Sequence, residues 1–479
     1  MKKSNQFNNI CQGLSVLKFS NNLNKSLIII LFFCYSSNIF AQKIAAGWSH
    51  SIYLCNNGNT ANAWGANTVG QLGDGTIIDK SLPALVNGLI STKAIRAGYQ
   101  HSLALKTDST VWAWGDNTDG QLGNGTNTGS ITPVQVNGLS GIIAISGGTA
   151  GYHSLALKAD STVWAWGRNT DGQLGDGTFI SKNVPTQITA LSGIIAIAGG
   201  EYHSLALKND GTVWAWGKNS KGQLGNGTTV NSNIPVQVTG LTGITAISGG
   251  RYFSIALKND STVWTWGENL YGQLGNGTTV DSNTPVQVTG LTDATSIAGA
   301  AFHCLVIKSD STMMSWGRNT YGNLGNGTTT NSSIPVQVNV LTNVVAIAGG
   351  TNYSLAMKSN DSLFAFGRNT NGQLGDGTLV DKYIPTAVLS LCGTTGVEEN
   401  SQLLLNQVIV FPNPAKDNLT IEINKNATAE IINLNGQIVK NITLTNSTNN
   451  IDLKELFGGV YLIKIITDKE IIVKKFIKQ

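Results

Sequence analysis

A Trp-Gly pair recurs at Trp64-Gly65, Trp114-Gly115, Trp166-Gly167, Trp216-Gly217, Trp266-Gly267 and Trp316-Gly317, and Phe366-Gly367 completes the series. The step is 50 residues throughout, except for one of 52 whose two extra residues fall near Thr149-Ala150. A period of this size marks stacked copies of one supersecondary unit, none of which can bury its own apolar surface. At 479 residues the chain is also too long for a single ordinary core, so two or more units are expected.

The fourth repeat shows what each unit contains. Ala196-Ile197-Ala198 reads as a short apolar strand ended by Gly199-Gly200. His203 to Lys208 reads as a second strand, with His203, Leu205 and Leu207 alternating against Ser204, Ala206 and Lys208. Asn209-Asp210-Gly211 is a hairpin turn, because Asp-Gly accepts the positive φ of tight primed turns. Thr212 to Trp216 is a third strand, Asn219 to Thr228 a Gly-rich loop, and Pro235 to Val238 a fourth strand at an edge, where proline is tolerated. Only 12% of residues are charged and 56 are glycine, which suits β-structure with many turns.

Four short strands repeated seven times predict an all-β fold, a seven-bladed β-propeller of four-stranded blades. The recurrent Trp and Leu positions would fill the surfaces between blades, each buried aromatic contributing about 2–3 kcal/mol. Lys43 to Gly47 matches the first strand of the repeat, and no such strand follows Pro385 to Val388. The N-terminal strand is therefore expected to complete the last blade and remove the open edge of the ring.

The repeat Gly-x-x-His-Ser-Leu-Ala-Leu-Lys…Val-Trp-Ala-Trp-Gly-x-Asn…Gly-Gln-Leu-Gly-x-Gly-Thr resembles the regulator-of-chromosome-condensation repeat family over residues 43 to 392. The resemblance implies a seven-bladed propeller. Such propellers serve as exchange factors for small GTPases, as protein-interaction modules, and as bacterial inhibitors similar to β-lactamase-inhibitory protein type II. Uniform repeat length leaves no room for a nucleotide-displacing wedge, so exchange-factor activity is not favoured.

The chain ends offer two further signals. Residues 1–41 read as a secretory signal peptide: lysines come first, then an apolar run from Leu27 to Phe33, then small residues ending at Ala41. The run is too short for a ~30 Å bilayer core, which disfavours a membrane anchor. Cys34 follows Phe32-Phe33 rather than small residues, which disfavours a lipoprotein site. Near the C-terminus, Phe411 to Ile421, Gly458 to Ile465 and Lys474 to Lys478 resemble a type A C-terminal sorting domain of the type IX secretion system. The resemblance implies a protein that meets the type IX machinery and is secreted or placed on the outer cell surface. Alternating apolar residues and an Asn435-Gly436 turn predict a small β-sandwich there. The expected division is thus a signal peptide (1–41), a propeller (42–392), a linker (393–402) and a sorting domain (403–479).

The formal net charge is +4, and Lys2, Lys3, Lys18 and Lys25 of the expected signal peptide account for all of it. A neutral mature chain lacks the footprint of nucleic-acid binding and gives no reason to expect an anionic membrane. A monomer is expected. Cys304 stands where other repeats have serine and reads as a small buried residue. Cys55 and Cys392 lie in the first and last repeats, which are neighbours in a closed ring. They read either as a disulfide, favoured by an oxidising compartment, or as two free thiols.

Little in the sequence points to catalysis. All five histidines, His50, His101, His153, His203 and His303, occupy one repeat position, which holds Phe253 and Tyr353 in repeats five and seven. Substitution by Phe and Tyr indicates packing or hydrogen bonding rather than a metal site. In each His-Ser pair the two residues point to opposite strand faces, so the pair is not a base and its nucleophile. One Asp or Asn per Gly-x-Gly-Thr loop is too few for calcium and fits turn chemistry. No cofactor is expected. Asp108-Ser109-Thr110, Asp160-Ser161-Thr162, Asp260-Ser261-Thr262 and Asp310-Ser311-Thr312 look like O-glycan acceptors of this bacterial type and equally like hairpin turns.

The informative positions are those that vary. Just before the histidine slot stand Trp48, Tyr99, Tyr152, Glu201-Tyr202, Arg251-Tyr252, Phe302 and Asn352, all expected on one face of the disc. Aromatics with an occasional charge are typical of binding hot spots, the alternative being local packing. The expected function is a non-enzymatic extracellular propeller that binds a protein or glycan through this face. The rivals are an extracellular hydrolase with an unrecognised site and a purely structural surface component.

Overall fold

A strand buried on one face only alternates apolar and polar residues, whereas a strand between two sheets is buried throughout. The second strand of the repeat is of the latter kind, since His203 to Leu207 are all buried and only Lys208 reaches solvent. The computed structural model describes residues 43–55, 60–148, 151–392, 408–423, 426–433, 437–445, 448–466 and 471–479. The expected signal peptide and linker, Thr149-Ala150 and the Asn435-Gly436 turn lie outside the described residues.

Seven four-stranded antiparallel sheets follow one another along the chain. The first comprises Ile44–Ala46, His50–Cys55, Thr60–Gly65 and Lys80–Leu85. The fourth comprises Ile194–Gly199, His203–Lys208, Val213–Gly217 and Ser232–Gln237, and the last Val344–Gly349, Tyr353–Lys358, Leu363–Gly367 and Lys382–Ala387. Every apolar cluster of the propeller bridges two blades. In one, Leu155, Leu157, Leu174 and Ile188 of the third blade enclose Ala206 and Trp216 of the fourth. Six tryptophans, Trp64, Trp114, Trp166, Trp216, Trp266 and Trp316, are 0% exposed in these seams, as the repeat predicted.

Two expectations need correction. The N-terminal strand does not complete the last blade: Ile44–Ala46 pairs with Ser51 to Tyr53 of its own blade, and all seven blades are contiguous in sequence. The ring shuts by contact between complete blades instead, with Ile44, Tyr53 and Trp64 packed among Tyr353, Leu355 and Leu374, and with Gly377 N donating to Ser81 O at 3.0 Å. A disulfide joins Cys55 to Cys392 across this seam, with 5.2 Å between Cα atoms. The fourth strand begins three residues earlier than expected, at Ser232, and a register shift between Ala215 and Gly217 lets the ladder pass Pro235.

The C-terminal region is a separate two-sheet domain. Val408–Phe411, Asn418–Ile423 and Thr448–Asp452 form one sheet; Ala427–Asn433, Ile438–Leu444, Gly459–Ile466 and Ile471–Lys478 form the other. Leu419, Ile421 and Ile423 of the first sheet meet Ile431, Ile463 and Phe476 of the second in one core, the arrangement of a sandwich.

Candidate functional site

Histidine and serine do meet in this protein, but across blades. His50 Nε2 lies 3.0 Å from Ser102 Oγ, and the same contact joins His101 to Ser154, His153 to Ser204, His203 to Ser254 and His303 to Ser354. The sequence reading weighed only sequence neighbours and missed this pairing. Its chemistry is fixed by where each proton goes. Ser102 Oγ donates its single proton to the Gln71 carbonyl at 2.8 Å, so it accepts from the Nε2–H of His50. Trp114 Nε1 donates to the same carbonyl at 2.9 Å. Histidine, serine, carbonyl and tryptophan thus form a latch between adjacent blades. The histidine is a donor toward serine, not a base, and both side chains are 0% exposed. Burial pulls His50, His153, His203 and His303 down to about 3 and His101 to about 4, so the row is neutral.

The departures from the pattern obey the same logic. Phe253 has no proton to give, and its partner position holds Cys304, whose thiol still reaches the Gln273 carbonyl at 3.4 Å. At the closing seam Tyr353 takes the histidine position, and its hydroxyl lies 3.1 Å from Ser51 Oγ.

The varying positions occupy the loops between first and second strands, and backbone hydrogen bonds tie several of these loops to the next. Tyr99 N donates to Gly151 O at 2.8 Å, Glu201 N to Gly250 O at 3.2 Å and Arg251 N to Ala301 O at 3.1 Å. The residue after each Trp-Gly pair is pinned beside the same loop: Arg168 N donates to Tyr152 O at 3.1 Å and Lys218 N to Tyr202 O at 3.0 Å. This turn needs its glycine. Gly217 has φ of +104°, and a Cβ there would lie 2.6 Å from Tyr202 O.

The result is an arc of partly exposed rings. Trp48 and Tyr99 have centroids 4.5 Å apart, Tyr99 and Tyr152 4.5 Å, Tyr152 and Tyr202 6.2 Å, and Tyr202 and Tyr252 5.3 Å. Phe302 extends the row but is itself buried, and it meets the edge of Tyr271 at 5.8 Å. Cations sit between the rings. Lys218 Nζ is 4.8 Å from the Tyr202 centroid and 5.5 Å from that of Tyr252. Arg251 lies 5.1 Å from Tyr252 and 5.2 Å from Phe302. Arg318 and Arg368 flank Tyr321 at 5.7 and 5.2 Å. Each ring from Tyr99 to Tyr252, and Tyr321, therefore has a neighbour on both sides.

Not all the predicted residues join. Glu201 is 1% exposed and paired with Arg251 at 3.0 Å, and burial pushes its carboxyl up to about 7. Asn352 is buried and makes no ring contact, so the arc opens at the seventh blade. The sequence reading missed Arg168, Lys218, Arg318 and Arg368, together with Tyr271 and Tyr321. Their signal was available in the residue after Trp-Gly, which varies as freely as the loop: Ala66, Asp116, Arg168, Lys218, Glu268, Arg318 and Arg368.

Comparison with known proteins agrees with this architecture. Residues 32–294 match the RCC1-like domain, and residues 312–357 and 360–398 match the regulator of chromosome condensation (RCC1) repeat. The chain belongs to the RCC1-like domain family. Among relatives, the ultraviolet-B receptor UVR8 of Arabidopsis thaliana is 32% identical over 155 residues, which are 32% of this chain and 34% of that protein. The probable E3 ubiquitin-protein ligase HERC6 of Homo sapiens is 36% identical over 172 residues, 34% of this chain and 17% of that one. The match thus spans about a third or less of either relative's length. Among solved RCC1-like folds, Prp20p of Saccharomyces cerevisiae superposes with a TM-score of 0.63 at 24% identity, covering 70% of this chain and 87% of that one. Human WBSCR16 gives 0.60 at 23% identity, covering 66% and 86%. Residues 409–479 match the secretion system C-terminal sorting domain, so this RCC1-like propeller is exported through type IX secretion to the cell surface or extracellular space.

Proposed function

We propose that this is a non-enzymatic extracellular propeller that binds a protein partner through the aromatic–cation arc. The observation that carries the reading is the covering of ring faces by neighbouring rings and cations. Sugar rings stack on free aromatic faces, and here the arc offers edges, hydroxyls and guanidinium groups instead, the surface of a protein hot spot. A glycan partner is disfavoured for the same reason. Charge adds a direction. Arg318 Nε donates to Thr320 Oγ1 at 3.3 Å and Arg368 Nε to Thr370 Oγ1 at 3.0 Å, and neither guanidinium has an ion pair among the described residues. Two oriented, unpaired guanidinium groups beside Tyr321 favour a partner that presents carboxylates. Prp20p, a fold relative, has reported binding properties toward Gsp1p and histones, which accords with protein recognition by this architecture.

Enzymatic readings find no support in the site. The histidines are buried and neutral, and the carboxyl raised to about 7, Glu201, is held beneath the surface by Arg251. We propose the chain divisions given above, with residues 42–392 as the mature binding unit. Crosslinking capture from the surface and medium of producing cells tests the reading, with a W48A/Y99A/Y202A/Y252A variant as comparison. The variant is expected to lose capture at least about thirtyfold, the scale of a single hot-spot side chain. Equal capture by both forms overturns the proposed face, and capture competed by polysaccharide overturns the protein assignment.

A further inference from the structure

The innermost strands of the blades surround a central channel of about 180 Å³ lined almost wholly by glycine, alanine, serine and isoleucine. Strand register places one residue from each blade in a common layer of its wall. Ala45 pairs with Ile52, Arg96 with Leu103, Ser146 with Leu155, Ala198 with Leu205, Ser248 with Ile255, Ala298 with Leu305 and Ala348 with Leu355. Six of the seven are small and neutral; the second blade alone contributes a charge. Among the described residues no carboxylate lines the channel.

Arg96 is therefore a cation on the axis of the disc without a counter-charge. Among the described residues its guanidinium makes one hydrogen bond, from Nη1 to the Ile95 carbonyl at 2.9 Å, out of five N–H donors. Burial brings its pKa down to about 10, which leaves it protonated at neutral pH. Two further donors share its layer. Ser146 Oγ accepts from Gly199 N at 3.0 Å and Ser248 Oγ accepts from Gly299 N at 2.9 Å, and neither bond uses the hydroxyl proton. A half-buried cation without a counter-charge, in a layer with two hydroxyls whose protons are uncommitted, favours compensation by an ion of opposite sign.

We propose that the channel binds a small monovalent inorganic anion, of the halide or nitrate class, at Arg96. One positive charge matches one negative charge, and the volume holds such an ion with a few waters at about 30 Å³ each. The anion would lie where the inner strands converge and so hold the blades together from the axis. This site is independent of the partner-binding face.

The test uses the full chain. Thermal unfolding is followed by tryptophan fluorescence in sodium chloride, bromide or nitrate against sodium gluconate, at constant ionic strength. The midpoint is expected to rise by about 2–4 °C in the small anions, saturating with concentration as a bound ligand does. R96M should abolish the difference. Crystals of the wild-type protein grown in bromide should show an anomalous peak beside Arg96, a result that does not depend on the variant folding. Equal midpoints in chloride and gluconate, an undiminished anion effect in folded R96M, or a bromide-grown crystal without that peak would each overturn the proposal.

Discussion

Acid should open this propeller before ordinary carboxylates, near their usual values of about 4, are titrated. Burial holds five histidines neutral, His101 with a pKa of about 4 and His50, His153, His203 and His303 with about 3. In the unfolded chain each titrates near 6.5. The folded value lies below the unfolded one, so the native state is favoured fully above about pH 7. That advantage is lost as pH falls through 6.5, because only the unfolded chain takes up the protons. At about pH 5 each histidine removes roughly 2 kcal/mol, and five remove roughly 10 kcal/mol. Glu201 acts in the opposite direction. Its carboxyl is raised by burial to about 7, so it protonates first in the native state and returns roughly 2 kcal/mol. The net loss, roughly 8 kcal/mol, is comparable to the whole stability of an ordinary domain. Urea unfolding at about pH 7.5 and about pH 5 measures it. All 11 tryptophans lie between Trp48 and Trp316, so their fluorescence reports the propeller alone. His203→Phe, which copies the residue at 253, should remove one proton from the pH slope. Unfolding free energies that agree within about 1 kcal/mol at the two pH values would refute the reasoning.

The inter-blade latch makes a second prediction. His203→Phe alone should cost roughly 1–2 kcal/mol, and adding Ser254→Cys, which recreates the Phe253–Cys304 seam, should show a coupling of about 1 kcal/mol in a double-mutant cycle. Strict additivity would mean that the two side chains do not act as a pair. Reducing the Cys55–Cys392 bond, which spans 337 residues, should lower stability by about 2–4 kcal/mol, while a Cys55→Ser/Cys392→Ser variant should be indifferent to reductant. Asn219 ties its Gly-rich loop together, donating from Nδ2 to Thr228 O at 3.0 Å and Val230 O at 3.1 Å and accepting from Leu224 N at 2.9 Å. Asn219→Ala should cost roughly 2–4 kcal/mol and expose the loop to limited proteolysis, whereas a stability change below about 0.5 kcal/mol would make the loop self-supporting.

Each Asp-Ser-Thr turn has its own structural purpose. Asp108 Oδ1 accepts from both Thr110 N and Thr110 Oγ1, at 2.9 and 2.7 Å, and Ser109 takes a positive φ of 66°. The same carboxylate clasp closes the turn at Gly211, where Asp210 Oδ1 accepts from Thr212 N and Thr212 Oγ1 at 2.9 and 2.6 Å and glycine takes the positive φ that serine takes here. The turn reading of these triplets is thereby given a mechanism.

Periodicity determined the architecture of this protein, because a fifty-residue unit with four short strands has only its own copies to bury itself against. The aromatic row could be read for the same reason: one position per repeat, varied seven times. Ring closure could not be read. A matching N-terminal strand fits a shared blade as well as a self-contained one, and only the pairing of Ala45 with Ile52 distinguishes them. The His–Ser latch was hidden because its partners lie about fifty residues apart on facing blades, while sequence inspection compares neighbours. The cations of the arc, and the lone Arg96 at the axis, likewise acquire meaning only from the positions opposite them. Sequence sets what each blade contains; curvature of the ring sets which blades' side chains come within hydrogen-bonding range.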